Sequence, residues 1–206
     1  MLKKIFEDNK KYTFSDYFEM RHTTSDIAAA LGYSFSFEVI DLPRDENYDR
    51  HFIEILEETF YTVFPKISFN SEMAKREFLV APLLLEIART TNIQINVEYA
   101  LNVNQQLSGL LDYFLVAEQS LIIIEAKRKD IDAGFNQLVA ELIALDQSGE
   151  DQNVDCLYGA VTLGDLWKFG CLDRKQKRII KNINSHTIPK ETADVFSILM
   201  GIIHRK

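Results

Sequence analysis

Asp112, Glu125 and Lys127 combine two acids and a base at a spacing suited to metal-assisted phosphodiester hydrolysis. Two carboxylates that face each other on apolar strands repel each other and lose hydration, and a divalent cation between them would compensate both costs. Hard cations such as Mg²⁺, for which Mn²⁺ can substitute, bind carboxylate oxygens together with water and phosphate oxygens. An ammonium group beside such an ion could orient an attacking water and stabilise charge on the phosphate.

This chemistry requires that the chain bring the two acids together. The apolar runs "LLDYFLV" and "LIIIEA" predict two strands of a hairpin joined by a four-residue loop at 117–120. With Val116 opposite Leu121, Asp112 stands directly opposite Glu125, and their Cβ atoms would be about 4.5–5.5 Å apart. The strand period of two then puts Lys127 on the same face as Glu125.

Hydrophobic periodicity predicts an α/β domain with a mixed sheet around this hairpin. The predicted helices are two short pieces within 12–33 with Thr24 or Ser25 as N-cap, 48–64, 71–91 with a bend at Pro82, 132–149 with Asp132 as N-cap, and 190–205. The predicted strands are 33–43 with an apolar side of Tyr33, Phe35, Phe37 and Val39, then 93–103, 110–116, 121–126, 154–164, 166–173 and 177–183. Because the hairpin strands are apolar on both faces, we expect them inside a sheet that is covered on two sides.

Asp112 followed by Glu125-Ala126-Lys127 resembles the motif of the PD-(D/E)XK nuclease superfamily, although Leu111 stands where that motif has proline. The resemblance implies a restriction-endonuclease-like mixed sheet with helices on both faces, and its helix, three-stranded meander, helix and strand match residues 72–163. It implies a nuclease-like core over 66–206. Residues 1–65 have no counterpart in it and are expected to form an N-terminal α/β extension, with helices and one strand, packed on that core.

More narrowly, "SEMAKREFLVAPLL" resembles the helix-opening glutamate motif in the N-terminal nuclease domain of type I restriction-enzyme R subunits and related proteins. In that resemblance Glu72 is the metal-binding acid on the helix, with Glu77 as the alternative. Gln137 takes the position of the glutamine on the helix that follows the lysine strand, where it would help to orient the attacking water.

Each of these residues also has an ordinary structural interpretation. Glu125 and Lys127 could form a surface ion pair at a strand end, which contributes little to stability. Asp112 could be a turn residue, and Glu72 could be an acid that the dipole of its helix favours in the first turn. Gln137 could be a partly exposed side chain of a surface helix.

Charge and composition limit the partners that we expect. A formal net charge of −8 argues against coating of nucleic acid through global attraction. We therefore expect contact with nucleic acid, most of all DNA, only through local basic groups. For the basic residues after position 167, the alternative interpretation is a solvated turn between strands. The predicted contacts are Lys127, Arg128, Lys129, Lys168, Arg174 and Lys175.

Cys156 and Cys171 show neither a zinc spacing nor a disulfide framework, so we expect buried thiols. No apolar run reaches the roughly 20 residues of a membrane span, and no apolar segment follows the basic residues near Met1. We therefore expect no membrane partner and a cytoplasmic location. Target choice would come from residues 1–65, a homodimer partner or an additional specificity subunit.

The leading hypothesis is a Mg²⁺-dependent endonuclease of the PD-(D/E)XK type, related to restriction or repair. Asp112 and Glu125, together with Glu72, would hold the metal, and Lys127 and Gln137 would complete the catalytic group. The alternative is a catalytically inactive module of the same fold that binds nucleic acid or a partner protein. A purely structural protein is the third hypothesis.

Overall fold

A computed structural model describes residues 5–117, 120–126, 129–149 and 154–204, and for residues 120–126 it describes the backbone alone. The helices are α1 (Phe14–Glu19), α2 (Thr24–Ala30), α3 (Arg50–Val63) with a 3₁₀ turn at Phe64–Lys66, α4 (Glu72–Lys75), a π-helical turn (Arg76–Val80), α5 (Ala81–Thr90), α6 (Ile131–Ser148) and α7 (Thr192–Ile203). Within these residues, no helix combines the length and the apolar character needed to cross a membrane.

The strands form one mixed sheet in the order β1-β7-β6-β5-β4-β3-β2, and β8 pairs with β6. The pairs β1–β7 and β4–β5 are parallel and the others are antiparallel. The predicted mixed α/β architecture is confirmed, as is the interior position of the β3–β4 hairpin. The strands are β1 (Ser34–Glu38), β2 (Gln94–Asn102), β3 (Ser108–Ala117), β4 (Ser120–Ala126), β5 (Cys156–Thr162), β6 (Leu166–Asp173), β7 (Arg178–Asn182) and β8 (His186–Thr187).

Two hydrophobic clusters lie on opposite faces of this sheet. Apolar residues of α3, α5 and α7 share one cluster with Tyr158 of β5, whereas residues of α1, α2 and α6 share the other with its neighbour Leu157. Helix α6 packs closely on its face, since a Cβ at Gly159 would stand 2.7 Å from a methyl group of Leu138. Burial on both faces explains why the central strands are apolar throughout.

Elements from residues 5–65 contribute to both clusters and to the sheet itself. Strand β1 is an edge strand paired with β7, and Phe14 and Phe60 are fully or almost fully buried in opposite clusters. The expected boundary between 65 and 66 remains a prediction. In space, however, these residues supply an edge strand of the sheet and parts of the layers that cover its two faces.

Several local predictions were wrong by a few residues. Thr23, not Thr24 or Ser25, caps α2, and Asp130, not Asp132, caps α6 by accepting from the amides of Asp132 and Ala133. Threonine and aspartate oxygens can cap any helix start within reach of their side chain, so neighbouring candidates are hard to rank from sequence.

The alternation of β1 was only half correct. Tyr33 is buried, but Phe37 and Val39 are 54% and 68% exposed. Strand β1 is at the edge of the sheet and ends at Glu38. In the described residues, no helix covers the side chains of Phe37 and Val39 there. An edge strand thus exposes apolar groups that its period-two pattern assigns to a core.

The predicted interruption near Pro82 takes the form of a π-helical turn. The Ala81 amide donates to the Arg76 carbonyl five residues back, whereas an α-helix uses the carbonyl four residues back. Pro82 has no amide hydrogen and its ring crowds the preceding turn, so a widened turn directly before it accommodates both effects.

Candidate active site

The β3–β4 hairpin has the register that the sequence predicts. Val116 pairs with Leu121 and the ladder runs to Tyr113 and Ile124, so Asp112 and Glu125 are the next residues of the two strands beyond the last observed pair. The strands approach the turn one residue further than expected, because Ala117 still pairs with Ser120. The register of the hairpin is as predicted, and the direct pairing of the two acids remains a prediction.

Glu125 lies near the end of β4, between β3 and β5, and its parallel partner on β5 is Val161. Its side chain, together with Lys127 and Arg128, lies outside the described part of the chain. β4 is an interior strand of the sheet, and the surface ion pair at a strand end remains an open alternative for this residue.

Asp112 is largely shielded from solvent and faces a cation. Its side chain is 16% exposed, and its Oδ1 lies 3.6 Å from Nη1 of Arg76, whose own side chain is 18% exposed. The guanidinium also lies over the ring of Tyr113, 5.1 Å from the ring centre. Partial burial opposes the charge of Arg76, but the hydrogen bond to Tyr113 and the charge of Asp112 outweigh it and raise the pKa of Arg76. The acid is thus neutralised by a fixed positive charge.

Strand β3 breaks its alternation at this point. Leu111 and Phe114 join one hydrophobic cluster, whereas Tyr113 and Leu115 join the other. Three positions separate Leu111 from Phe114, so the regular period of two does not hold across Asp112. This local irregularity allows Asp112 and its neighbour Tyr113 to meet the same guanidinium.

A third acid, Glu98, lies on β2 next to this irregularity. Val97 pairs with Tyr113 and Tyr99 pairs with Leu111, so Glu98 falls opposite Asp112 but outside the ladder. Its φ of 54° is a left-handed conformation that is costly for a residue other than glycine. Its Oε1 lies 3.4 Å from Nη1 of Arg76. Strain and a second contact to the same cation both mark this position.

The helix that begins at Glu72 contacts the elements on both sides of β4. Glu72 is the first residue after the N-cap Ser71 and lies one helical turn before Arg76, so both side chains project from one side of the helix. Arg76 reaches Asp112 of β3, while further along the helix Leu79 packs on Gly164 in the turn after β5, where a Cβ would stand 2.5 Å from its methyl group. The role of Glu72 as a metal ligand remains a prediction.

Gln137 lies on α6 and is buried, with 3% of its surface exposed. Its Nε2 donates to Oε1 of Glu141, 2.8 Å away, and Glu141 is fully buried. The alternative of a partly exposed surface side chain is therefore wrong for this residue. Its proposed role beside the lysine strand remains a prediction.

The basic residues after β5 are engaged within the protein. Lys168 is 8% exposed, and its ammonium donates to the carbonyl of Ile183 and the hydroxyl of Ser185. Burial and the charge of Lys181 lower the pKa of Lys168. Its interpretation as a residue of a solvated turn is wrong, because it belongs to a central strand.

The other predicted contacts differ in exposure. Arg174 forms a largely buried ion pair with Asp146, 2.8 Å away, and the exposed Lys175 pairs with Asp155 at 2.7 Å. Lys129 is exposed, one residue before the cap of α6. Contact with nucleic acid remains a prediction for all of them, and Lys129 and Lys175 are the ones whose ammonium groups lie at the surface.

Sequence reasoning missed Arg76, Glu98 and Glu141. Arg76 carried a usable signal, because a base four residues after a candidate metal ligand projects from the same side of the helix. Glu98 had none, since its acid follows the polar alternation of β2 and its positive φ is invisible in the sequence. Comparison of the chain with protein-family models, curated proteins and solved structures finds no match.

Proposed function

We propose that this protein is a metal-dependent nuclease that hydrolyses phosphodiester bonds, with DNA as its principal substrate. The observation that carries the proposal is the register of the β3–β4 ladder, whose last pair, Tyr113 with Ile124, directly adjoins Asp112 and Glu125. One further step of the same register would put the two acids opposite each other. A restriction-endonuclease-like fold is part of the same proposal. The contact of Arg76 with Asp112, from the helix that begins at Glu72, supports it.

The residues present suit a hard divalent cation. Asp112 offers carboxylate oxygens in a largely buried position, and a second carboxylate follows from the ladder at Glu125. Glu72 is the third proposed ligand. Mg²⁺, or Mn²⁺ in its place, would supply charge stabilisation for the phosphate and a more acidic water when bound.

Lys127 and Gln137 would act on water and substrate. Lys127 follows Glu125 by two residues, so a continued strand would direct its ammonium to the same face, where it would orient the attacking water and stabilise phosphate charge. Gln137 already donates a hydrogen bond to Glu141. That bond fixes the orientation of its amide, whose oxygen would accept a hydrogen from the same water.

Arg76 has a defined place in this scheme. The shielded Asp112 needs a counter-charge before any metal arrives, and Arg76 contacts both this acid and the more exposed Glu98. The guanidinium would have to release Asp112 when a cation binds. It would then be available to a phosphate oxygen, for which a guanidinium is well suited.

The same ion pair favours a second candidate, a nuclease-fold module that binds nucleic acid or a partner protein without cutting. If Arg76 holds Asp112 permanently, the metal cannot bind and the cluster only stabilises the fold. Calorimetric titration with Mg²⁺ separates the two candidates, because the non-cutting module predicts no binding heat and no effect of Asp112→Asn beyond stability.

Cleavage assays test the leading proposal. Plasmid, linear duplex, single-stranded DNA and RNA are incubated with Mg²⁺ or Mn²⁺, using wild type, Lys127→Ala and Glu125→Gln. The matched control is Glu46→Gln. It removes one negative charge from an exposed ion pair with Arg50, which is not part of the proposed site. We expect cleavage by wild type and control only. Undiminished cleavage by Lys127→Ala would exclude the mechanism.

A further inference from the structure

A second group of potential ligands lies where β8 meets α7. It consists of His186, Glu191 and Asp194, and one ligand atom of each lies within 4.8 Å of the other two. His186 is held in the sheet opposite Trp167 of β6, while the two acids belong to the first turn of α7 and its cap. Three side chains from two elements thus converge on one point.

The imidazole of His186 is the feature that ordinary packing does not explain. The residue is 9% exposed and its ring packs edge-on against Phe169, with ring centres 6.0 Å apart. Its Nδ1 is buried, and the described residues provide no hydrogen-bond partner for it. A buried polar atom without a partner destabilises the fold, and an ion or a water is the usual explanation for it.

Burial also keeps this ring in the form that binds metals. Loss of hydration lowers the pKa of His186, and the nearby charge of Arg44 adds to that effect, although Glu191 and Asp194 act in the opposite direction. The lowered pKa favours the neutral ring, which retains a lone pair on one nitrogen. A neutral imidazole is the protein ligand most often used for transition metals.

The two acids are each fixed through one oxygen. Oε2 of Glu191 accepts hydrogen bonds from the amide and the hydroxyl of Thr187, at 2.6 and 2.9 Å. Oδ1 of Asp194 accepts from Nη1 of Arg44 at 2.5 Å. Their second oxygens, Oε1 and Oδ2, receive no hydrogen bond from the described residues. This is the arrangement of a carboxylate oriented by outer contacts, with a lone pair left for a metal.

We propose that His186, Glu191 and Asp194 form a binding site for a divalent transition metal of the Zn²⁺ class. One imidazole nitrogen and two carboxylate oxygens suit Zn²⁺ better than Mg²⁺ or Ca²⁺, which prefer oxygen alone. Tetrahedral Zn²⁺ holds its ligand atoms about 3.3–3.6 Å apart, so ligand atoms that lie within 4.8 Å of one another have to approach by up to about 1.5 Å. Rotation of the two partly exposed carboxylates provides that movement, and water completes the coordination.

This site is separate from the proposed active site and does not depend on it. The ladder runs from Ala126 to Thr162, Trp167 and His186, so His186 lies three strand spacings from the neighbour of Glu125. At about 4.8 Å per spacing this is about 14 Å, too far for a shared ion. A metal here would join β8 to the start of α7.

Metal titration of the full chain tests the proposal. The background is the double variant Asp112→Asn/Glu125→Gln, which removes the proposed Mg²⁺ ligands. Zn²⁺ is titrated against a chromogenic chelator, and Co²⁺ serves as a probe because its visible absorption reports tetrahedral coordination. We expect one equivalent of Zn²⁺, an affinity at least about tenfold lower with Glu191→Gln, and loss of the Co²⁺ spectrum with His186→Gln.

His51→Gln is the matched control, because His51 lies 3.8 Å from Glu54 on an exposed helix surface and should not affect binding. Glu191→Gln keeps an oxygen that can accept from Thr187, so it decides the question even if the buried His186→Gln variant fails to fold. Absence of Zn²⁺ binding, or equal affinity in wild type and Glu191→Gln, would overturn the proposal. The same result would leave the nuclease proposal untouched.

Discussion

The two candidate clusters of this protein differ in how their polar groups are partnered. At the first cluster Arg76 contacts both Asp112 and Glu98. At the second cluster Arg44 likewise pairs with Asp194, but the buried Nδ1 of His186 has no hydrogen-bond partner in the described residues. Under the two proposals, a metal at the first cluster would displace Arg76 from Asp112, whereas a metal at the second would bind at an imidazole that lacks a partner.

Under the two proposals, this difference would give two kinds of metal site. Competition with a guanidinium makes binding weaker and exchangeable, which suits an ion that enters with substrate and leaves with product. A buried imidazole with two oriented acids suits an ion that remains bound and stabilises the fold. The backbone also differs, because Glu98 beside the first cluster has a strained φ of 54°, whereas His186 pairs with Trp167 in the short strand β8.

The largest expected effect comes from the acid at the first cluster. Asp112→Asn removes a metal ligand but keeps the size of the side chain, so cleavage should fall about a hundredfold or more. The rate is measured on a labelled duplex at saturating Mg²⁺, with Glu46→Gln as the charge control. Equal rates in both variants would mean that Asp112 is only the ion-pair partner of Arg76.

Removal of the competing cation should act in the opposite direction on metal binding. With Arg76→Gln, Asp112 and Glu98 keep their charges but lose the guanidinium, so the Mg²⁺ concentration for half-maximal cleavage should fall about fivefold. Arg50→Gln, from an exposed surface pair, is the control. A higher Mg²⁺ requirement would contradict the displacement and favour a role of Arg76 in substrate binding alone.

Backbone strain beside the first cluster predicts a smaller effect on stability. At Glu98, glycine tolerates the left-handed φ and alanine does not, so Glu98→Gly should unfold with a free energy about 1 kcal/mol higher than Glu98→Ala. Ala100→Gly, two residues along the same strand, should instead lower stability. Denaturant unfolding of the three variants checks this, and the same sign at both positions would exclude strain at Glu98.

The β3–β4 hairpin shows how much of the fold could be predicted from the sequence. Alternation and loop length predicted the pairing of Val116 with Leu121, because the period of two and a short turn leave few registers. The same reasoning assigned Phe37 to a core, although it is 54% exposed. Local pattern identifies a strand, but the neighbours on its two faces come from distant segments.

The candidate site illustrates the same limit. The register that leads toward Asp112 and Glu125 depends on one hairpin and could be predicted, whereas the contact of Arg76 with Asp112 requires the relative placement of a helix and a strand. Lys168 illustrates the limit most clearly, since a lysine in a basic stretch proved to be buried in a central strand. Its ammonium bonds to a carbonyl that only the folded chain brings near.

The smallest expected effect tests the missing hydrogen bond of the His186 ring at the second cluster. Burial lowers the pKa of His186 in the folded chain, whereas the unfolded chain titrates near 6.5. Between these two values the unfolded state binds more protons, so without metal the unfolding free energy should rise with pH up to about 6.5 and then level off. Denaturant unfolding in chelator between about pH 5 and 8 measures this slope, and His186→Gln should reduce it. Glu191 should not interfere, because hydrogen bonds from Thr187 lower its pKa and confine its contribution to more acidic solutions. An unchanged slope in His186→Gln would mean that burial of the ring does not destabilise the folded state. The distinction between the two clusters would then depend on metal titration alone.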